Sequence, residues 1–212
     1  MPRPDRLVVV AGTGTDVGKT FVGCAVLRAL RARGVRVAAR KPAQSFAPPP
    51  TGTDAHLLGS ATGEDPERVT PPHRWYPVPL APPMAAAALG LAPFTVAELR
   101  AEVDAGWDVP VDVGVVETAG GLRSPIADDG DCLALLVGLR PDAVVLVAGA
   151  GLGTINDVRL GAGVLERPPV VVLNRYDDSD DTHRRNAAWL RDRDGFTVVT
   201  AMDELADRLR PR

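Results

Sequence analysis

GTGTDVGKT, Gly12 to Thr20, lies between a short apolar run, Leu7 to Ala11, and a stretch with helical apolar spacing. A strand that runs through a glycine-rich loop into a helix can turn its backbone N–H groups around anionic oxygens. The helix N-terminus adds a favourable dipole at the same point. In that setting Lys19 reaches terminal phosphates and the Thr20 hydroxyl ligates Mg²⁺. Five residues separate Gly12 from Gly18, one more than the common phosphate-loop spacing. The bland alternative is a glycine-rich turn that happens to carry a surface lysine.

The rest of the chain repeats the alternation. Val35–Arg40, Val113–Glu117, Ala143–Ala148, Val170–Leu173 and Phe196–Val199 read as further short strands. Between them, helices are predicted over Thr20–Arg33, Asp54–Ala61, Ala81–Leu89, Thr95–Ala105, Asp131–Leu139, Thr154–Leu165 and Thr182–Arg191, with another after the last strand. Strands separated by helices imply an α/β fold: one P-loop NTPase-like parallel sheet with helices on both faces. The proline-rich stretches Pro48–Pro50 and Pro71–Pro83 read as loops within a single domain spanning residues 1–212. Sheets of this kind bind ligands at the carboxyl ends of their strands. The loop after Ala11, Lys41–Ser45, Glu117–Gly121, Gly149–Asn156 and Asn174 all fall on that edge.

Composition narrows the function. Of 24 basic residues only Lys19 and Lys41 are lysines. Lysine offers a compact ammonium where arginine offers a flat fork, so both positions look selected for a point charge. Chance survival of two lysines is the alternative. A net charge of −3 leaves no nucleic-acid footprint. No apolar stretch approaches the roughly 20 residues needed to cross a bilayer, and a cytoplasmic protein is expected. Cys24 and Cys132 each sit in an apolar helical pattern and read as buried free thiols. His56, His73 and His183 lack ligand spacing, and the acidic runs Asp128–Asp131 and Asp177–Asp181 read as solvated loops.

Several residues carry candidate chemistry. Glu117 ends an otherwise apolar strand, where an unpaired carboxylate is costly. With Thr20 and Asp54 it makes a hard-oxygen set suited to Mg²⁺. Asp54 taken alone fits a helix cap equally well. Lys41 opens KPAQS, where an ammonium stabilises charge developing during phosphoryl transfer; the alternative is a solvated strand-end charge. GLGTIND, Gly151–Asp157, suits either an anion site at a helix start or plain capping. Gly14 stands where partition-type ATPases carry a signature lysine, which counts against a nucleotide switch of that class.

Taken together, GTGTDVGKT, KPAQS, Asp54, WYPVPLAPPMAAA, VVETAGG, GLGTIND and LNRYDD resemble the dethiobiotin synthetase family, in order and at family spacing, to about residue 178. The resemblance implies a homodimer that uses ATP and Mg²⁺ to carboxylate 7,8-diaminopelargonate with CO₂ or bicarbonate and close a ureido ring. It implies Lys41 as the catalytic lysine, Lys19 on the β- and γ-phosphates, and Thr15 reaching substrate or phosphate. It places the nucleotide against Asp16, Val17, Gly18, Lys19, Thr20, Phe21, Asp54, Glu117, Thr118, Ala119, Gly120, Asn174 and Arg175. Thr20, Asp54 and Glu117 hold the metal. Ser45 binds substrate, with Thr154, Ile155 and Asn156 supplied from the partner subunit. The alternatives are a related amidotransferase-type synthetase domain and a nucleotide-switch ATPase. The chain departs from the family pattern at Gly14, Phe46 and Thr118. It also lacks the Gly-x-x-Pro segment expected after the last strand; that region reads FTVVTAMDELADRLRPR.

Overall fold

Strands buried along nearly their whole length set the layers of the molecule. The structure, a computed structural model, describes residues 3–49 and 52–211; Pro50, in one expected loop, lies outside them. In chain order the first elements are β1 (Arg6–Gly12), α1 (Lys19–Ala32), β2 (Val37–Arg40), β3 (Gln44–Ser45), α2 (Asp54–Thr62) and α3 (Pro66–Val69). Next come β4 (Trp75–Tyr76), α4 (Pro82–Ala88), α5 (Val96–Ala105), β5 (Val113–Gly121), β6 (Pro125–Ala127), β7 (Gly130–Asp131) and α6 (Cys132–Leu139). The chain closes with β8 (Ala143–Gly149), α7 (Thr154–Ala162), β9 (Val170–Asn174), α8 (Asp181–Asp192), β10 (Thr197–Val199) and α9 (Met202–Leu209).

Six strands form one sheet in the order β10-β9-β8-β1-β5-β2, and every pairing in it is parallel. β1 is central, so its residues are buried on both sides. Leu7, Val9 and Ala11 face a core completed by Leu99 and Val103 of α5, Leu135 and Leu139 of α6, and Trp107. Val8 and Val10 face the opposite core, built from Val22, Val26, Leu27 and Leu30 of α1 with Leu205 and Leu209 of α9. Each of these leucines, moved from water to the interior, contributes about 1.5–3 kcal/mol. A third cluster packs Ala187 and Leu190 of α8 on Val171 and Leu173 of β9.

The expected strands and main helices are present, with ends shifted by a few residues. β5 runs four residues past Glu117, because TAGG stays beside β1, where Gly12 pairs with Gly121. α7 stops at Ala162 instead of Leu165. The short helix α3 and the two-stranded pairs β3–β4 and β6–β7 fall where the sequence reading placed loops or no element. Cys24 and Cys132 are free and buried; burial pushes each thiol up to about 11. Among the described residues no helix is long and apolar enough to cross a membrane.

Candidate functional site

The carboxyl ends of β1, β2 and β5 open onto a cavity of about 830 Å³. The loop leaving β1 supplies its floor. Asp16 and Gly18 take positive φ, 58° and 96°, and only a glycine tolerates the second position. A Cβ at Gly18 would lie 1.9 Å from Asn174 Nδ2, which donates to Val17 O at 3.0 Å. Arg175 donates to Asp16 O at 3.2 Å, so the end of β9 braces the loop from outside. Lys19 is 7% exposed, and its ammonium donates back to Gly14 O at 2.8 Å. Burial lowers its pKa, and the nearby Lys41 charge lowers it further.

Opposite lies a compact charge cluster. Lys41 follows β2; its N–H donates to Val69 O at 2.8 Å and its C=O accepts from Thr70 Oγ1 at 2.8 Å. Held from both sides, it sends its side chain to Asp54 Oδ2 at 2.6 Å and Glu117 Oε1 at 2.7 Å. Burial alone would lower the Lys41 pKa, but the two carboxylates outweigh it and hold the ammonium above the ordinary lysine range. Burial likewise opposes ionisation of Asp54, yet Lys41 and the Thr20 hydroxyl keep it below the ordinary aspartate value. Glu117, 1% exposed, is pushed up by burial, which the Lys41 charge only partly offsets.

Thr20 Oγ1 lies 2.8 Å from Asp54 Oδ1 and 2.8 Å from Glu117 Oε1. One hydroxyl proton satisfies one of these contacts; the other brings together two oxygens that need a carboxyl proton or a cation between them. Glu117 Oε2 is buried without a partner. Three hard oxygens converging in this way suit Mg²⁺, which takes one or two carboxylates and completes its shell with phosphate oxygens and water. Among the described residues no three His, Cys, Asp or Glu side chains gather as a self-sufficient metal cage.

The position of Asp54 has a source that the sequence reading missed. Asp54 opens α2, but the N-cap Thr53 makes no capping bond, since its hydroxyl pairs with His56 Nδ1 at 2.8 Å. Gln44 Oε1 accepts from Ala55 N at 3.1 Å instead and caps the helix from another element. The Gln44 Nε2 group is buried with no acceptor.

Known proteins match this chain along most of its length. A family model described as an AAA domain matches residues 6–209. The ATP-dependent dethiobiotin synthetase BioD of Streptomyces coelicolor is 36% identical over 97% of this chain and 87% of its own length. The chain belongs to the dethiobiotin synthetase family. The protein of the same name from Caulobacter vibrioides strain NA1000 is 40% identical over 76% of this chain and 74% of its own. Among solved structures, a DUF1611 family protein from Anabaena variabilis superposes with TM-score 0.60 at 19% identity, covering 97% of this chain and 57% of that one. Chloroplast FtsY from Physcomitrella patens superposes with TM-score 0.54 at 19% identity, covering all of this chain and 63% of that one. At such identity these two share the fold alone.

Within this dethiobiotin synthetase family member, the cavity wall gathers Thr15, Asp16, Gly18, Lys19, Thr20, Lys41, Ser45, Asp54, Glu117, Ala119, Gly120 and Arg175. Ser45 Oγ is buried and without a partner. Other expected residues lie elsewhere. Val17 and Asn174 sit behind the loop, and Thr118 is fully buried with its hydroxyl unpartnered. Phe21 is 63% exposed and off the cavity wall. Thr154 Oγ1 donates to Gly149 O at 2.6 Å, Asn156 Nδ2 donates to its neighbour Asp157 Oδ1 at 3.2 Å, and neither they nor Ile155 line the cavity of their own chain. Gln44 of KPAQS and the Pro79–Pro82 turn of WYPVPLAPPMAAA line the cavity without having been given a role, and Ser124 and Pro125 line it from outside every motif singled out. KPAQS and the apolar–proline run around Pro79 carried signals that could have found Gln44 and the turn; nothing comparable marks Ser124.

Proposed function

We propose that this chain is an ATP-dependent dethiobiotin synthetase of biotin biosynthesis, acting on 7,8-diaminopelargonate and CO₂ in a cytoplasmic setting. The observation that carries the reading is the Lys41 ammonium bridging Asp54 and Glu117 directly beside Thr20 of the phosphate loop, in a chain of this family. ATP lies with its phosphates on Gly18, Lys19 and Thr20. One amine of the diamine adds to CO₂ and loses a proton, giving a carbamate. A carbamate oxygen displaces ADP from the γ-phosphorus, and the second amine then attacks the mixed anhydride carbon and expels phosphate.

Thr20, Asp54 and Glu117 are the residues that would hold Mg²⁺, which when bound neutralises phosphate charge. With those carboxylates otherwise neutralised, the Lys41 ammonium is left for carbamate and phosphoryl oxygens. Where no cation neutralises the carboxylates, they hold its pKa above the ordinary lysine value. Lys19 serves the β- and γ-phosphates, Thr15 the substrate side, and Ser45 offers its free hydroxyl to the diamine. Asp16, Ala119, Gly120 and Arg175 frame the nucleotide along the cavity wall.

A homodimer completes the reading. The turn before Thr154, Ile155 and Asn156 carries Leu152 at 93% exposure, and α7 carries Leu160 at 67%. A second copy covering these residues would bring the turn, with its free helix N-terminus, to the substrate's carboxylate tail. The test is phosphate release measured with and without diaminopelargonate, bicarbonate and Mg²⁺. Release should require all three; turnover that ignores the diamine would point instead to a nucleotide switch.

A further inference from the structure

Beyond Gly18, Lys19 and Thr20, the cavity extends to Thr15, Gly120, Ser124 and the Pro79–Pro82 turn. Ser124 is fixed there more firmly than a surface loop residue usually is. Its N–H donates to Gly121 O at 3.0 Å, its C=O accepts from Cys132 N at 3.1 Å, and Pro125 restricts its backbone from the following position. Its Oγ accepts from Gly121 N at 2.9 Å. That bond uses a lone pair, and among the described residues the hydroxyl proton has no acceptor.

The hydroxyl also shapes its neighbour. Gly120 has φ 69°, and a Cβ there would meet Ser124 Oγ at 2.5 Å and Thr15 Oγ1 at 3.7 Å. Two hydroxyls therefore flank one glycine on the cavity wall. A serine that only closed the Gly120–Gly121 turn would need its acceptor lone pair and no more. This one also leaves its proton free on the cavity wall, beside Thr15 and away from Gly18, Lys19 and Thr20 in the chain.

The geometry points to Ser124 as a binding and specificity residue for the amine-bearing substrate, its O–H donated to the anionic oxygen that the amine gains on carboxylation. This rests on the dethiobiotin synthetase reading and adds to it the residue that grips the carbamate. Because the donor lies beside Thr15, on the substrate side of the Gly120 turn, its loss should weaken the diamine site more than the nucleotide site.

The experiment compares wild type, Ser124→Ala and Ser124→Thr in initial-rate kinetics with ATP, bicarbonate and diaminopelargonate, and records thermal unfolding of each. Ser124→Ala should raise KM for the diamine roughly 10- to 100-fold, the range for losing a hydrogen bond to a charged group. KM for ATP should stay within about two-fold, and threonine should restore the diamine KM. An unchanged diamine KM, an equal rise in ATP KM, or no rescue by threonine each overturns the assignment. If the alanine variant fails to fold, Ser124→Cys keeps the size, and the same split between the two KM values decides. A wild-type enzyme that ignores the diamine overturns the underlying reading and this one with it. A responsive wild type with an indifferent alanine variant overturns only the role of the serine.

Discussion

Arg40 and Lys41 are adjacent, both cationic and both 3% exposed, yet they do opposite things. Arg40 spreads a flat fork. One arm donates to Glu64 Oε1 at 2.7 Å and contacts Ala39 O, the other reaches Gly106 O, and the guanidinium lies 4.5 Å from the centre of the Trp107 ring. Both of its terminal nitrogens are engaged, and only its Nε is without a partner. Lys41, one residue on, concentrates its charge on two carboxylates beside the phosphate loop. Around it Glu117 Oε2, Ser45 Oγ and Thr118 Oγ1 are buried and unpartnered. One cation finishes a piece of the core; the other stands among groups whose partners have yet to arrive. The contrast separates the two jobs that a buried positive charge can have, and it explains why a chain so rich in arginine keeps lysine at this position.

Exchanging the two side chains tests the contrast, beginning with the largest effect. Lys41→Arg retains the charge but replaces a point with a fork too wide for the gap between Asp54 and Glu117. Diamine-dependent phosphate release should fall roughly 10²- to 10³-fold, the scale of losing one electrostatic donor, in a variant that still unfolds cooperatively in urea. Near-normal turnover would show that the compact ammonium is not what the site requires. Arg40→Lys is the mirror case. It loses the bridge between Glu64 and Gly106 and the stacking on Trp107, and should cost about 1–3 kcal/mol in urea unfolding. Activity of the folded variant should stay near wild type; a selective loss of turnover with stability intact would place Arg40 in the chemistry after all.

The smallest effect sharpens the comparison inside the Lys41 cluster. Glu117 has a folded pKa above its ordinary 4.5, so the folded state holds its proton more tightly. Any stability from this group is present at low pH and lost as pH rises through the folded pKa. Asp54 has a folded pKa below its ordinary 3.8, so its contribution is present above that value and lost as pH falls through the folded one. In urea unfolding, Glu117→Gln should therefore look more favourable relative to wild type at pH 7 than at pH 4. Asp54→Asn should look less favourable at pH 7 than in the acid range. The same sign for both variants would mean that the two carboxylates share Lys41 differently from what their geometry implies.

What the sequence made legible follows from how local each signal is. The phosphate loop, the strand ends and the apolar strand closing on Glu117 are written in consecutive residues, so fold and cluster could both be read. The cap on α2 could not. Thr53 looks like a normal cap, and its diversion to His56 and replacement by Gln44 depend on how β3 passes the helix. Ser124 escaped for the same reason, because its meaning depends on Gly120, Thr15 and the turn from Pro79 arriving around it. Arg40 was invisible beside Lys41, since Glu64 and the Gly106–Trp107 pair reach it from two distant segments.

The bracing of the phosphate loop has a last consequence. Asn174 fills the space behind Gly18 and Arg175 ties down Asp16, so the loop is already shaped before any phosphate arrives. The entropy of ordering it is lost when the chain folds, not when the nucleotide binds. Nucleotide capture should then resemble docking onto a rigid surface, with a heat-capacity change in calorimetry no larger than the ligand's own buried area accounts for. A much larger value would mean that the brace opens and closes with each turnover.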